Sequence, residues 1–343
     1  MYRRIRPLLF RVDPERAHNL ILSLMVAAGF LLPIKNILRK FFFPKIYNPV
    51  DFAGLSFPNP VGLAAGYDKD GISWRGLSLM GFGHIEIGTV TPRPQAGNPK
   101  PRIFRIPDEE AIINRMGFPG KGAEFAAKMI PIPGCSLTRD NIILGMNIGK
   151  NEDTPIQEAA QDYIDCLRLF YDRVDYFAVN VSSPNTIGLR KLQGRDLLEG
   201  LLQELMSERD RLQLKSDKSL PIFVKLSPDL SDHELDDALE VITGTSVDGV
   251  IAANTTIQRG NLLGSDPGEE GGLSGKPVKE LSTSMIRKIH RRTTGTLPII
   301  GVGGISSPDD ALEKMEAGAG LVQIYSGLIF KGPRLVRDLL ENL

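Results

Sequence analysis

The sequence predicts an α/β protein, a (β/α)8 TIM barrel that follows a small N-terminal helical domain. Eight short runs rich in Val, Ile and Leu alternate with segments of helical periodicity. The runs are continuously apolar, as expected of parallel strands that are covered on both faces. Polar residues follow the C-terminal ends of all eight runs, and a barrel gathers its active site at that face.

The predicted strands occupy residues 60–65, 84–90, 142–148, 176–181, 221–226, 248–253, 298–302 and 321–325. Helical patterns occupy residues 155–172, 194–213, 231–242, 277–292, 307–317 and 333–342. A doubly wound open sheet is the alternative arrangement. It is disfavoured because such a sheet binds ligands at one switch point, whereas polar residues here follow every strand.

Charge separates residues 1–45, the predicted helical domain, from residues 46–343, the predicted barrel domain. The first segment has nine basic and two acidic residues, a net charge of +7. The whole chain has 41 basic and 41 acidic residues, so the remainder carries −7. Asp13, Pro14 and Glu15 form a typical helix start, with a capping side chain, a proline in the first turn and an acidic residue after it.

The apolar segment 20–34 has two further interpretations. As a membrane span it is too short, because it contains Ser23 and is interrupted by Pro33, whereas a spanning helix needs roughly 20 apolar residues. As a signal peptide it has the expected basic start at Arg3, Arg4 and Arg6 and small residues at its end. The helix start at residue 13 favours an amphipathic helix over both.

Composition excludes several classes of protein. Equal numbers of basic and acidic residues give no global field that would attract nucleic acid, and four histidines leave little for a histidine-rich metal site. Cys135 and Cys166 have no metal-binding or disulfide spacing, which is typical of a reducing compartment.

The strand ends supply the first candidate site residues: Lys69, Thr89, Asn147, Asn180, Ser183, Lys225, Asn254, Thr255, Gly303, Gly304, Tyr325 and Ser326. Lys225 lies inside an apolar strand, so it is either a snorkelling surface residue or a buried cation that needs a negative partner. Lys69 presents the same choice on a loop. The asparagines offer directed donors and acceptors without charge, which suits a small, planar, amide-bearing substrate.

Glycines at the ends of the last two strands indicate an anion site. Residues 301–307 read GVGGISS and residues 325–327 read YSG. Backbone N–H groups there, including those ahead of the helix that starts near Ser307, could hold a phosphate group. A plain glycine turn is the alternative.

Longer motifs then identify a family. The chain contains AAGYDKDG, EIGTVTPRPQ, NRMGF, VNVSSPNT, AANTT, IIGVGGI and VQIYSG. Together they closely resemble dihydroorotate dehydrogenase of class 2, the membrane-associated enzymes that use a quinone. The resemblance covers about residues 13–343, and it is the combination that is specific, because GVGGI alone would mean little.

The resemblance implies an enzyme with one FMN per subunit that oxidises (S)-dihydroorotate to orotate in pyrimidine synthesis. The implied FMN contacts are Ala65, Gly66, Tyr67, Asp68, Lys69, Thr89, Asn147, Asn180, Lys225, Ala253, Gly275, Gly304, Tyr325 and Ser326. At Ala253 relatives often carry threonine, so a contact there would come from the backbone. The implied substrate contacts are Lys69, Asn114, Arg115, Met116, Gly117, Phe118, Asn180, Asn185, Asn254 and Thr255.

The family implies Ser183 as the catalytic base, where class 1 enzymes have a cysteine. Strand alternation would instead choose Ser182, which shares a face with Asn180, so the turn at Pro184 must reorient Ser183. Because a serine hydroxyl is a poor base, its proton must leave through a hydrogen-bonded partner or water, and Thr186 is a candidate.

For the N-terminal domain, the resemblance implies a quinone path lined by His18, Arg105 and Tyr325. It further implies a monomer held peripherally at the cytoplasmic face of the cell membrane, where basic side chains meet anionic lipid. Two alternatives remain. Another FMN barrel, such as a dihydrouridine synthase acting on tRNA, would carry a broad basic surface and a catalytic cysteine. A membrane-surface binding protein would have kept the barrel and lost catalysis.

Overall fold

The computed structural model describes residues 2–43, 48–132, 142–216, 218–260, 262 and 266–343. The predicted domain boundary after residue 45 and Cys135 lie outside these ranges.

Eight parallel strands form a closed barrel, which confirms the predicted fold class. Each strand pairs with the next one along the chain, and the last pairs with the first. All eight predicted strands are present, most of them shortened by one or two residues. They are β1 (Val61–Leu63), β2 (His84–Val90), β3 (Ile143–Ile148), β4 (Tyr176–Asn180), β5 (Ile222–Leu226), β6 (Gly249–Ala252), β7 (Ile299–Val302) and β8 (Leu321–Ile324).

Helices surround the barrel, and the six predicted ones are confirmed with small shifts at their ends. One begins at Ser231, whose hydroxyl and the Glu234 carboxylate form a reciprocal capping box. The helices that follow the N-terminal segment are Trp74–Ser78, Ala123–Met129, Ala159–Phe170, Arg195–Ser216, Asp232–Gly244, Lys279–Arg292, Pro308–Glu316, Ser326–Lys331 and Arg334–Leu340. Short 3-10 turns occupy Pro107–Glu109, Ile156–Glu158, Leu189–Gln193 and Lys276–Val278.

The N-terminal segment consists of three helices, α1 (Tyr2–Leu9), α2 (Pro14–Phe30) and α3 (Leu32–Phe42). The predicted start of α2 is confirmed, since the Asp13 side chain accepts the N–H of Arg16 at 2.9 Å. A Cβ atom at Gly76 would lie 1.9 Å from the Met25 carbonyl oxygen, so only glycine permits this close packing of α2 on the helix Trp74–Ser78. Over the described residues, no single helix has the length and hydropathy of a membrane span, although α2 and α3 together do, with a bend of 107° between them.

Two small antiparallel sheets were not predicted, because their strands have only three or four residues. A hairpin of Val50–Phe52 and Leu55–Phe57 packs against the N-terminal end of the barrel, where Phe52 stacks on Phe223 with 5.9 Å between ring centroids. A three-stranded sheet of Ile103–Ile106, Ala111–Asn114 and Gly272–Gly275 lies at the opposite end. Its third strand comes from a distant part of the sequence, and this sheet carries Asn114 to the mouth of the barrel.

Candidate active site

A cavity of about 440 Å³ runs from the C-terminal ends of the barrel strands to the N-terminal helices. Apolar side chains of α1 and α2, among them Ile5, Leu9, Ile21 and Met25, line the end next to the helices. Polar strand-end residues line the other end. The cavity thus joins an apolar compartment to a polar one.

Most of the predicted site residues lie in the wall of this cavity. From the predicted cofactor contacts these are Ala65, Gly66, Tyr67, Lys69, Thr89, Asn180, Lys225, Ala253, Gly275, Gly304, Tyr325 and Ser326. From the predicted substrate contacts the wall adds Asn114, Met116, Gly117, Phe118, Asn185, Asn254 and Thr255. Ser183, His18 and Arg105 also belong to it.

Three predicted residues lie outside the wall. The Asp68 carboxylate turns back onto its own loop and accepts the N–H groups of Ile72 and Ser73 at 3.0 and 2.7 Å. Arg115 points outward and pairs with Glu269 at 2.7 Å. Asn147 is fully buried one layer beneath the cavity.

Lys225 is buried and has the negative partner that its position requires. Its Nζ atom lies 3.1 Å from Oε1 of Glu86, whose side chain is also fully buried. The Asn147 amide donates to the same oxygen at 2.7 Å, and the Gln323 amide donates to Oε2 at 2.7 Å. Glu86 and Gln323 were not predicted as site residues, although an acidic residue inside the apolar run HIEIGTV is a usable signal.

A chain of side-chain amides leads from this layer to the cavity. Asn180 donates to Oδ1 of Asn147 at 3.2 Å and to the Thr89 hydroxyl at 2.9 Å. Asn254 in turn donates to Oδ1 of Asn180 at 3.3 Å and to the Ser182 hydroxyl at 2.9 Å. Residues from β2, β3, β4 and the end of β6 are therefore held in one hydrogen-bonded network.

The two adjacent serines after β4 have different surroundings. Ser182 is fully buried and its hydroxyl is engaged by Asn180 and Asn254, and it takes no part in the cavity wall. Ser183 lies in the wall, and its Oγ accepts the N–H of Asn185 at 3.2 Å. The turn at Pro184 thus brings Ser183 rather than Ser182 into the cavity wall, whereas strand alternation alone would favour Ser182.

Two loops are tied together over the polar end of the cavity. The Asn185 amide donates to Oδ1 of Asn114 at 3.2 Å. Asn98, which the sequence analysis missed, donates to the carbonyl oxygens of Arg115 and Asn185 at 2.9 and 3.1 Å. Its only sequence signal was its place in the segment AGNPKPRIFR, residues 96–105, which continues the motif EIGTVTPRPQ.

The glycine-rich strand ends line the cavity as predicted, but the helix at Ser307 does not contribute. Ser306 N–H donates to the Asp310 carboxylate at 2.9 Å, and Asp310 N–H donates to the Ser307 hydroxyl at 3.3 Å. These donors are taken inside their own turn, which corrects the expectation that they face an anion. The remaining candidates are the turns at Gly303–Gly304 and at Ser326, where the Ser326 and Ser274 hydroxyls lie 2.8 Å apart.

The charges of the cavity wall follow from burial. Burial, followed by the nearby Arg102 guanidinium, lowers the pKa of Lys69 to about 8. Burial, followed by Lys69, lowers the pKa of His18 to about 3, so this imidazole is neutral at physiological pH. Its Nε2 lies 2.8 Å from the Tyr67 carbonyl oxygen. Burial raises the pKa of Tyr325 to about 12, which keeps its phenol protonated.

Arg105 fixes the ends of the N-terminal helices against the barrel. Its guanidinium donates to the carbonyl oxygens of Leu9 and Val12 and lies 4.7 Å from the centre of the Phe10 ring. Arg105 therefore contacts the turn between α1 and α2 and also borders the apolar end of the cavity.

Comparison with known proteins shows which family this chain resembles. The family model described as dihydroorotate dehydrogenase matches residues 48–343. A dihydroorotate dehydrogenase (quinone) from Acidithiobacillus ferrooxidans is 49% identical over 348 aligned positions, covering 100% of this chain and 94% of the relative. One from Shewanella woodyi is 47% identical, covering 99% of this chain and 98% of the relative.

Solved structures give the same result. The crystal structure of DHODH from Eimeria tenella in complex with ferulenol superposes with a TM-score of 0.85 at 37% identity, covering 96% of this chain and 90% of that chain. The ligand-free form from Eimeria tenella gives the same TM-score and identity, covering 96% of this chain and 94% of that chain.

Proposed function

Because the chain belongs to the dihydroorotate dehydrogenase family, we propose that it oxidises (S)-dihydroorotate to orotate with FMN and passes the electrons to a membrane quinone. The observation that carries this proposal is the continuous cavity described above. Its polar end suits a soluble, amide-bearing substrate and its apolar end suits a lipid-soluble acceptor.

The residues present fit FMN. Lys225 provides a buried cation, and Gln323 faces the same cavity with an Oε1 atom that has no hydrogen-bond partner among the described residues. Gly303 and Gly304 have φ of +123° and +73°, a backbone geometry that lets a ligand phosphate approach closely. Bound FMN supplies a two-electron acceptor for the hydride that leaves C6 of the substrate. Lys225 would then balance negative charge on the ring, and the glycine turns would hold the phosphate.

The substrate would bind between the loops after β1, β4 and β6. Lys69 is the cation placed to meet its carboxylate, and Asn114, Asn185 and Asn254 offer amides to the ring carbonyl and N–H groups. Hydrogen bonds from Asn98 hold the Asn185 loop in place. Specificity would then come from fixed amide directions rather than from charge alone.

Ser183 would take the proton from C5. Its hydroxyl lies in the cavity wall, whereas that of Ser182 is engaged by other side chains. Thr186 was the predicted proton partner, but its Oγ1 is buried and makes no hydrogen bond to any described residue, Ser183 included. A water molecule is therefore the simpler route for the Ser183 proton.

The N-terminal helices would form a domain that admits quinone from the membrane. His18, Arg105 and Tyr325 border the apolar end of the cavity, as the family resemblance implies. The outer surfaces of α2 and α3 expose large apolar side chains at Leu20, Leu24, Phe30, Leu31, Leu32, Ile34, Ile37 and Phe41. With the basic residues of the same segment, they suit peripheral binding to an anionic cytoplasmic membrane surface.

The alternative enzyme, a tRNA-modifying FMN barrel, has less support. Its catalytic cysteine has no counterpart at Cys166, which is fully buried in the helix Ala159–Phe170 and whose thiol pKa burial raises well above its ordinary value. The full-length relatives carry the name dihydroorotate dehydrogenase (quinone).

An anaerobic titration tests the proposal. Purified protein should show the visible spectrum of bound flavin, lose it when dihydroorotate is added, and regain it when a short-chain ubiquinone is added. A protein that binds FMN but keeps its colour with dihydroorotate would contradict the assigned substrate. Bleaching that a quinone cannot reverse would contradict the assigned acceptor.

A further inference from the structure

The carboxylate of Glu86 lies at the centre of the barrel, and four donors from four other strands converge on it. Asn147 and Lys225 donate to Oε1 at 2.7 and 3.1 Å, and Gln323 and Tyr176 donate to Oε2 at 2.7 and 3.4 Å. Its side chain has no exposed surface and does not reach the cavity. Glu86 can therefore act on the reaction only through the residues that it holds and through its charge.

A carboxylate only accepts hydrogen bonds, so Glu86 fixes which way its neighbours face. Asn147 must turn its NH2 group toward Glu86, which leaves its Oδ1 on the opposite side. Asn180 donates to that oxygen, and its own Oδ1 accepts from the NH2 group of Asn254 and from the backbone N–H of Ser182. Asn180 and Asn254 both lie in the cavity wall.

We propose that Glu86 is a positioning residue that sets the donor and acceptor direction of the Asn147 amide, and through it the acceptor offered to Asn180, and that it holds Lys225 against the cavity. This assignment rests on the proposed FMN and dihydroorotate sites. If the group beneath it could also donate, the Asn147 amide could turn by 180°, and its NH2 group would then face the NH2 group of Asn180. The negative charge of Glu86 would also partly offset the positive charge of Lys225 next to a bound flavin.

Two variants separate the effect of amide direction from the effect of the Glu86 charge. In Glu86→Gln the new amide oxygen can still accept from Asn147 and Lys225. Its NH2 group lies next to Gln323, whose amide can turn so that its free Oε1 accepts the new hydrogen bond. The direction of the Asn147 amide is therefore kept, while the negative charge at position 86 is lost. In Asn147→Ala the Glu86 and Lys225 pair remains, but Asn180 loses its fixed acceptor.

The first measurement is the two-electron potential of bound FMN, obtained with a chemical reductant and a reference dye. Glu86→Gln should bind reduced FMN about tenfold more tightly relative to oxidised FMN, a positive shift of about 30 mV. Asn147→Ala should instead raise KM for dihydroorotate about tenfold, since the buried Asn180 amide then loses one of its two acceptors. Asp162→Asn neutralises a buried carboxylate outside the cavity wall, where Asp162 accepts from the Asn151 N–H and the Thr154 hydroxyl; it is the matched control and should keep the wild-type potential.

A wild-type potential in Glu86→Gln would overturn the electrostatic role, and a wild-type KM in Asn147→Ala would overturn the orienting role. If Glu86→Gln does not accumulate as folded protein, Asn147→Ala still tests the orienting role. Tyr176→Phe, which removes one donor to Glu86, then takes the place of Glu86→Gln in the measurement of the potential. We expect it to shift the potential in the negative direction and by less than about 30 mV. If dihydroorotate does not bleach the flavin of the wild-type protein, the proposed substrate is contradicted. If it does bleach the wild-type flavin but the variants keep the wild-type potential and KM, only the role of Glu86 is contradicted.

Discussion

The Glu15 carboxylate accepts hydrogen bonds from both Nη2 and Nε of Arg102, at 2.7 and 3.1 Å, and so joins α2 to the barrel. The same Arg102 donates to the carbonyl oxygen of Asn98 at 3.0 Å, next to the loops that cover the polar end of the cavity. The N-terminal helices are thus fastened close to the proposed substrate site.

Glu15→Gln should weaken the attachment of α2, because a bidentate ion pair becomes a weaker neutral contact. We expect KM for a short-chain quinone to rise about threefold to tenfold, while bleaching by dihydroorotate stays near the wild-type rate. Steady-state and rapid-mixing kinetics separate the two. Glu341→Gln, which loses only an i,i+4 pair with Arg337, is the control and should change neither.

Acid should weaken the same contact. Burial pushes the pKa of Glu15 upward, but hydrogen bonds from Arg102 and Lys100 outweigh it, and the pKa lies below its ordinary value of 4.5. The stabilisation is therefore complete above about pH 4.5 and is lost as pH falls through the lowered folded-state pKa. Melting temperatures between pH 6 and 3 should fall more steeply for wild type than for Glu15→Gln; parallel curves would refute this.

Ser183→Ala should keep FMN and lose about 100-fold or more of its turnover near neutral pH, the usual contribution of a positioned base. Ser183→Cys should retain part of the activity. Ser182→Ala is the matched control: it removes a hydroxyl one position away that contributes no cavity surface, so we expect a smaller loss. Equal losses in the two alanine variants would argue against Ser183 as the base.

Lys225→Met should purify without flavin and be destabilised by about 3–5 kcal/mol, because Glu86 is left as an unpaired buried charge. Lys314→Met is a suitable comparison. Lys314 is also fully buried, but its Nζ contacts the hydroxyls of Ser282 and Thr283 outside the cavity wall. That variant should remain yellow; a colourless Lys314→Met would mean that flavin loss reports general instability.

The pKa of Lys69, lowered to about 8 by burial and by Arg102, predicts weaker orotate binding in alkali. Only the protonated amine attracts the carboxylate, so the dissociation constant should rise up to about tenfold per pH unit above pH 8. Spectral titration of the bound flavin with orotate measures it. Lys69→Met should bind weakly at every pH, with a flat profile between pH 7 and 9.

The barrel and the polar strand-end residues of the cavity wall could be predicted from local signals in the sequence, and the family resemblance supplied the other predicted wall residues. Apolar runs mark the strands, and glycines and amides mark the strand ends. Glu86, Gln323 and Asn98 were missed because their roles depend on partners far away in the chain. Gln323, for example, meets Glu86 across the barrel, a pairing that only closure creates.

The helix termini and the serine pair show the same limit. Ser307 has the sequence of an anion-binding helix start, but Asp310, three residues later, takes up the donors locally. Strand alternation favoured Ser182 because it assumes that β4 continues past Asn180, where the strand ends. For the serine pair, the family motifs favour Ser183, which lies in the cavity wall; they make no prediction about Ser307.

The convergence of donors on Glu86 also bears on how the barrel folds. Side chains alternate between the inside and the outside of a strand, so a slip of one residue in β3, β5 or β8 would turn its donor away from the centre. The buried carboxylate would then lose one of its four donors, at a cost of about 1–3 kcal/mol. A barrel with one of these strands out of register is therefore less stable at its core, and Glu86 favours the correct alignment of the strands.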